Sequence, residues 1–91
     1  MSYNLPPFKE FDVNEDPMSL GPKWESWIDE FQNLMLALGV EDKKRMKALL
    51  LYYAGRDVHD IYKTLTDVPT EEYEAAKTKL TNYFTPKVIL F

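Results

Sequence analysis

The sequence predicts an all-α domain, a compact bundle of four to five short helices preceded by an extended N-terminal arm. Apolar residues recur at helical spacings of three and four over residues 21–87, and the three glycines fall at the ends of these stripes. The chain has 91 residues, of which 45% are hydrophobic and 29% charged. This length and composition are typical of one folded domain with one core.

The first 20 residues differ in composition from the rest of the chain. They contain three of the six prolines and four acidic residues, and the Pro-Pro pair at 6–7 favours an extended backbone. Phe8 and Phe11 are bulky apolar side chains within this stretch. Two outcomes are open: residues 1–20 form a flexible tail, or they form an arm that docks Phe8 and Phe11 on the helical body.

The first helix is the most strongly patterned element. Gly21-Pro22 predicts its start, because proline is favoured at the first helical position, and Gly39 predicts its end. We expect Trp27 to lie in the core, whereas Trp24, at the predicted helix entrance, is a candidate half-exposed anchor for a binding partner. The apolar stripe comprises Trp24, Trp27, Ile28, Phe31, Leu34, Met35 and Leu38.

Three further helices are predicted. The second runs from about Asp42, as its N-cap, to Ala54 and ends at Gly55. The third begins with Asp57 as its cap, and the fourth follows a turn at 67–70 and ends near residue 84. The acids Glu71, Glu72 and Glu74 are expected in the first turn of the fourth helix. The predicted inward side chains are Met46, Leu49, Leu50, Tyr53, Val58, Ile61, Tyr62, Leu65, Tyr73, Ala76, Leu80, Tyr83 and Phe84.

The composition argues against an enzyme, a metal site and a cofactor. There is no cysteine, His59 is the only histidine, and no Gly-rich phosphate loop occurs. The net charge of −4 disfavours general binding to nucleic acid. No apolar run approaches the roughly 20 residues of a membrane span, and no secretion signal is recognisable. These features predict a cytoplasmic protein.

Lys43, Lys44, Arg45 and Lys47 form the only basic cluster of the sequence. In the simplest interpretation they are the solvated face of the second helix. In the alternative they contact an acidic surface of a neighbouring subunit, or RNA. Aromatic residues do not interleave with the cluster, so an RNA platform is weakly supported.

The aromatic content suggests a groove between the helices. Tyr52, Tyr53 and Tyr62 add amphipathic side chains to the second and third helices. Together with Trp24 and Trp27 they could line a groove that holds an extended peptide, or the chain's own arm.

Residues 24–31, 38–39, 47–55 and 58–65, taken in this order, resemble the Gag proteins of Gypsy-type LTR retrotransposons. The close of the same lobe is resembled by Tyr73, Ala76, Leu80 and residues 83–87. The resemblance implies the N-terminal lobe of a capsid, a compact helical bundle that forms capsomers and shells through weak contacts between copies. Domesticated relatives of this family include the neuronal protein Arc and the Arc proteins of insects.

The resemblance also implies a role for the N-terminal residues. In Arc-like lobes a hydrophobic groove accepts a short extended peptide, and in insect Arc and retrotransposon capsids an N-terminal arm occupies that space; residues 6–11 match this arm. The sequence lacks the second lobe and the zinc knuckle of the family, so RNA binding is expected only through regions absent from this chain. Residues 88–91 are expected to be an apolar tail or the start of a linker to a second lobe.

Two functions follow as expectations from the resemblance, and an unrelated helical scaffold domain remains as a third interpretation. The first is a non-catalytic capsid lobe that self-assembles. The alternative is a domesticated adaptor that binds short extended peptides in the groove.

Overall fold

A computed structural model describes residues 8–65, 68 and 70–85. The described residues form four helices and no strand, which confirms the all-α prediction. The predicted features at residues 1–7 and 86–91, including the apolar ending, lie outside the described residues. The helices are α1 (Pro17–Leu38), α2 (Lys43–Ala54), α3 (Arg56–Leu65) and α4 (Tyr73–Phe84).

The start of α1 differs from the prediction. The helix begins at Pro17, more than one turn before the predicted start at Pro22. The carboxylate of Asp16 accepts a hydrogen bond from the backbone N–H of Met18 at 3.1 Å, and Pro17 follows directly as the first helical residue. Pro22 lies inside the helix and lacks the N–H that would reach the carbonyl of Met18. Met18 is 71% exposed, so this turn of the helix lies at the protein surface.

Gly39 ends α1, as predicted, in a left-handed conformation with φ 70°. The N–H of Gly39 donates to the carbonyl of Leu36 at 3.1 Å, and the N–H of Val40 donates to that of Met35 at 2.9 Å. This Schellman motif folds Val40 back onto Met35, and both side chains are buried. Leu38 is displaced to the surface and is 46% exposed, so the prediction that it faces the core is wrong.

The boundary between α2 and α3 is a single residue. Asp42 caps α2 as predicted, accepting from the backbone N–H of Lys44 at 3.1 Å. Gly55 ends α2 with φ 103°, a conformation open mainly to glycine. A Cβ atom at Gly55 would lie 2.7 Å from a carboxylate oxygen of Glu10, but the exposed Glu10 side chain can move away, so the positive φ is what requires glycine. Since α3 starts immediately afterwards, Asp57 is its second residue and not its cap.

α4 begins at Tyr73, after Glu72 as its N-cap residue. Glu71 therefore precedes the helix, contrary to its predicted place in the first turn. Its carboxylate accepts from the hydroxyl of Tyr62 and from Nζ of Lys79, the latter at 2.7 Å. The Glu71 side chain is only 8% exposed, and its contacts tie α3 to α4.

α4 contacts each of the other three helices. The ring of Trp24 lies 4.9 Å from that of Phe84, and the ring of Phe31 lies 6.0 Å from that of Tyr73, so α1 and α4 run antiparallel. Tyr83 is 50% exposed, which contradicts its predicted inward position. The core consists of Phe11, Trp24, Trp27, Ile28, Phe31, Met35, Val40, Met46, Leu50, Ala54, Val58, Tyr62, Tyr73, Ala76, Leu80 and Phe84.

Partly buried side chains surround this core. They include five that the sequence predicts to point inward: Leu34, Leu49, Tyr53, Ile61 and Leu65. None of the described helices is both long enough and apolar enough to cross a lipid bilayer.

Candidate functional site

Residues 8–13, called the arm from here on, lie on the helical body without forming a helix or strand. Two hydrogen bonds hold the arm backbone. The N–H of Phe11 donates to the carbonyl of Ala54 at 3.2 Å, and the indole N–H of Trp27 donates to the carbonyl of Lys9 at 2.8 Å. Ala54 is the last residue of α2, where carbonyls lack helical partners, so the arm satisfies a group that the helix leaves open.

The two phenylalanines of the arm point into the body. Phe11 is 7% exposed, and its ring meets those of Trp24 and Phe84 edge-on at 5.0 Å each. Phe8 is half-buried and meets Trp27 at 5.2 Å and Tyr53 at 5.6 Å. The arm therefore contributes to the hydrophobic core instead of covering it loosely.

The surface beneath the arm is a row of aromatic rings, which we call the arm groove. Trp24, Trp27 and Phe31 follow one another on one face of α1 and stack nearly parallel, with centroids 5.4 and 5.6 Å apart. Tyr53 and Phe84 form the walls from α2 and α4. The residues at spacings of three and four, which predict a helix that faces the core, therefore also form the floor of the groove.

Trp24 is not a half-exposed anchor. Its side chain is 0% exposed, and its indole N–H donates to Oγ1 of Thr81 on α4 at 3.0 Å. The physical reason is the true start of α1. A helix beginning at Pro17 places Trp24 two turns inside, under Phe11 and beside α4, where no partner can reach it.

The three tyrosines predicted for the groove separate in the structure. Tyr53 contacts Phe8 in the arm groove. Tyr52 is 77% exposed and faces solvent, because neighbouring helical positions point about 100° apart. Tyr62 is buried between α3 and α4, where it donates to Glu71. Of the predicted groove residues, the structure gathers Phe8, Phe11, Trp24, Trp27 and Tyr53.

The four side chains of the predicted basic cluster do not share one environment in the structure. Lys43 lies 3.7 Å from a carboxylate oxygen of Glu74 and 5.7 Å from the ring centroid of Tyr73. Nζ of Lys47 lies 6.0 Å from the ring centroid of Tyr62. Lys44 and Arg45 are exposed, and neither forms an ion pair with any residue in the described ranges.

A cluster of polar side chains that the sequence pattern does not reveal lies beside the C-terminal half of α1. The hydroxyl of Tyr73 donates to Oε1 of Gln32 at 2.9 Å, and Nζ of Lys77 donates to the same oxygen at 3.2 Å. Burial, and secondly the negative charge of Glu74, raises the pKa of Tyr73 above its ordinary value. The phenol therefore remains protonated and serves as a hydrogen-bond donor that joins α4 to α1.

An open depression of about 380 Å³ lies between the arm and α1. Lys23 forms an ion pair at 2.9 Å with Glu15 at its edge. Within residues 8–65, 68 and 70–85, no group of three His, Cys, Asp or Glu side chains could hold a metal ion. What the arrangement offers chemically is apolar and hydrogen-bonded contact with an extended chain.

Comparison with protein-family models, with curated proteins and with solved structures gives no match for this chain.

Proposed function

We propose that this chain is the N-terminal lobe of a Gag-type capsid, and that it acts without catalysis through contacts between its own copies. The observation that carries the proposal is the filled arm groove. An adaptor that captures peptides needs this groove open, whereas here Phe8 and Phe11 of the same chain occupy it. The resemblance of residues 24–31, 47–55 and 58–65 to Gypsy-type Gag proteins supports the same function.

A filled groove leaves the outer helix faces as the surfaces for contact. Each such face is small, so a single contact between two copies is weak. Weak contacts suffice in a shell, because many copies joined at once gain affinity without new interactions. In this function the lobe would act in the cytoplasm, inside capsid-like particles.

The alternative is an adaptor that binds short extended peptides. One observation favours it: the arm groove already holds an extended backbone through two hydrogen bonds and two rings three residues apart. A foreign peptide with two similarly spaced aromatic residues could repeat these contacts after displacing Phe8 and Phe11.

Sedimentation velocity over a concentration series separates the two functions. We expect the weight-average mass to rise above the 10.7 kDa of one chain as the protein concentration increases. The range must extend to about 1 mM, so that a contact with a binding free energy of only about −4 kcal/mol is still detected. A chain that stays monomeric throughout would contradict the capsid proposal, and binding of an added peptide copying residues 6–14 would then favour the adaptor.

A further inference from the structure

One outer face of α1 carries unpaired acids. Asp29, Glu30, Asn33 and Leu36 are exposed, and spacings of three and four place them on one side of the helix. Neither Asp29 nor Glu30 forms an ion pair with another described residue. Leu36 is 80% exposed, the largest exposure among the bulky apolar side chains that the structure describes. We call these four residues the acidic face.

One outer face of α2 carries unpaired cations. Lys44, Arg45, Ala48 and Tyr52 are exposed and again follow one another at helical spacing. Lys44 and Arg45 lack ion-pair partners in the described part of the chain, and Tyr52 is 77% exposed. We call these four residues the basic face.

The two faces carry opposite charges in a similar order along the helix. On each, two adjacent charged residues come first, an uncharged residue (Asn33 or Ala48) follows, and a large apolar side chain comes last. Leu36 follows Asp29, the first acid, by seven positions, and Tyr52 follows Arg45, the second cation, by seven. Both intervals correspond to about 10 Å along the helix, so pairing Asp29 with Arg45 brings Leu36 opposite Tyr52. When the two helices lie parallel, the acids meet the cations at the same time as Leu36 meets Tyr52. In the antiparallel orientation, charges would meet apolar side chains instead.

Within one copy the two faces do not bind each other. Among the described residues neither acid pairs with Lys44 or Arg45, and Leu36 and Tyr52 are 80% and 77% exposed. The partner that fits both faces is therefore a second copy of this chain. Because the contact joins different faces of the two copies, it repeats from copy to copy and produces a ring or an open filament.

We infer that copies of this chain associate head to tail, with the acidic face of one copy against the basic face of the next and the two helices parallel. This inference rests on the proposed capsid function and names the surfaces through which it operates. The net charge of −4 makes copies repel one another at long range. Salt would screen both this repulsion and the local attraction, so exchange of charges is a sharper test than ionic strength.

The test uses two charge-reversed variants in the full chain. Lys44→Glu/Arg45→Glu makes both faces acidic, and Asp29→Lys/Glu30→Lys makes both faces basic. By sedimentation, each variant alone is expected to associate about tenfold more weakly than the wild type, since like charges then face each other. An equimolar mixture of the two is expected to associate again, because each variant then meets an opposite charge on the other.

The matched control is Arg56→Glu/Lys63→Glu, which makes the same charge change on exposed positions of α3. Its association constant should stay near that of the wild type, and circular dichroism should show that every variant remains helical. A mixture that fails to restore association, or a control that weakens it equally, would overturn the inference.

The outcomes separate the two proposals. If the wild type associates and the two reversed variants associate equally well, the head-to-tail contact is wrong while the capsid function stands. If the wild type is monomeric at every concentration, the capsid function itself fails. If Lys44→Glu/Arg45→Glu changes only the affinity for a single-stranded RNA, the basic face belongs to RNA and the inference is overturned.

Discussion

Replacing Phe11 with alanine is expected to lower the free energy of unfolding by about 3–4 kcal/mol, within the range for a buried phenylalanine. The ring is 7% exposed and is enclosed by Trp24 and Phe84, so its removal leaves a cavity that stacked aromatic rings cannot easily close. Urea unfolding measures the change directly. In a thermal scan, a domain of this size loses about 4–8 °C of its midpoint for each kcal/mol.

Lys9 provides the control for this prediction. Its backbone carbonyl binds Trp27, but its side chain is exposed, so Lys9→Ala should change stability by no more than about 0.5 kcal/mol. Phe8→Ala should fall between the two, at about 1–2 kcal/mol, because Phe8 is half-buried. If Phe11→Ala unfolds at the wild-type midpoint, the arm does not dock in solution.

Replacing Trp24 with alanine is expected to cost about 4–5 kcal/mol, near the upper limit for such substitutions. The side chain is fully buried, stacks on Trp27 at 5.4 Å and donates its indole N–H to Thr81 at 3.0 Å. Alanine removes the packing and leaves the partly buried hydroxyl of Thr81 without this donor. Circular dichroism during urea unfolding follows the loss.

Tyr52→Ala is the matched aromatic control for Trp24. Tyr52 is 77% exposed, so the substitution should change the stability of the dilute monomer by no more than about 0.5 kcal/mol. Equal effects at the two positions, or a Trp24→Ala variant that loses affinity for a partner but no stability, would restore Trp24 as a surface anchor.

Local signals in the sequence predict much of the fold. Gly39 and Gly55 mark helix ends because each adopts a positive φ that other residues rarely adopt. Asp42 marks a helix start because its carboxylate can accept from an unpaired amide. These signals involve only neighbouring residues, so they can be recognised without knowledge of the tertiary structure.

The predicted start of α1 is wrong because the sequence contains two patterns that are typical of a helix start. These are Asp16-Pro17 and Gly21-Pro22, and the helix begins at the first of them. The error carries over to the site, because a helix starting at Pro22 would put Trp24 in its first turn and half-expose it. The choice of the proline at which α1 starts therefore determines whether Trp24 is predicted to be half-exposed or buried.

The sequence offers docking of the arm as one of two outcomes, but it does not decide between them. Phe8 and Phe11 are compatible with a flexible tail and with a docked arm. What separates these outcomes is contact with distant groups, such as the carbonyl of Ala54, the indole of Trp27 and the space above Gly55. The carbonyl of Ala54 is a backbone atom without a residue-type signal, and the indole of Trp27 is recognisable only as part of the apolar stripe of α1, so no pattern in the sequence shows that they contact the arm.

The central claim is that the arm fills its own groove, and hydrogen exchange of the two indole N–H groups, followed by NMR, tests it most directly. The indole of Trp24 reports on the α1–α4 contact through Thr81, and the indole of Trp27 reports on the arm through Lys9. We predict slow exchange at both indoles in the wild-type chain. Slow exchange at Trp24 combined with the rate of a free indole at Trp27 would contradict the claim.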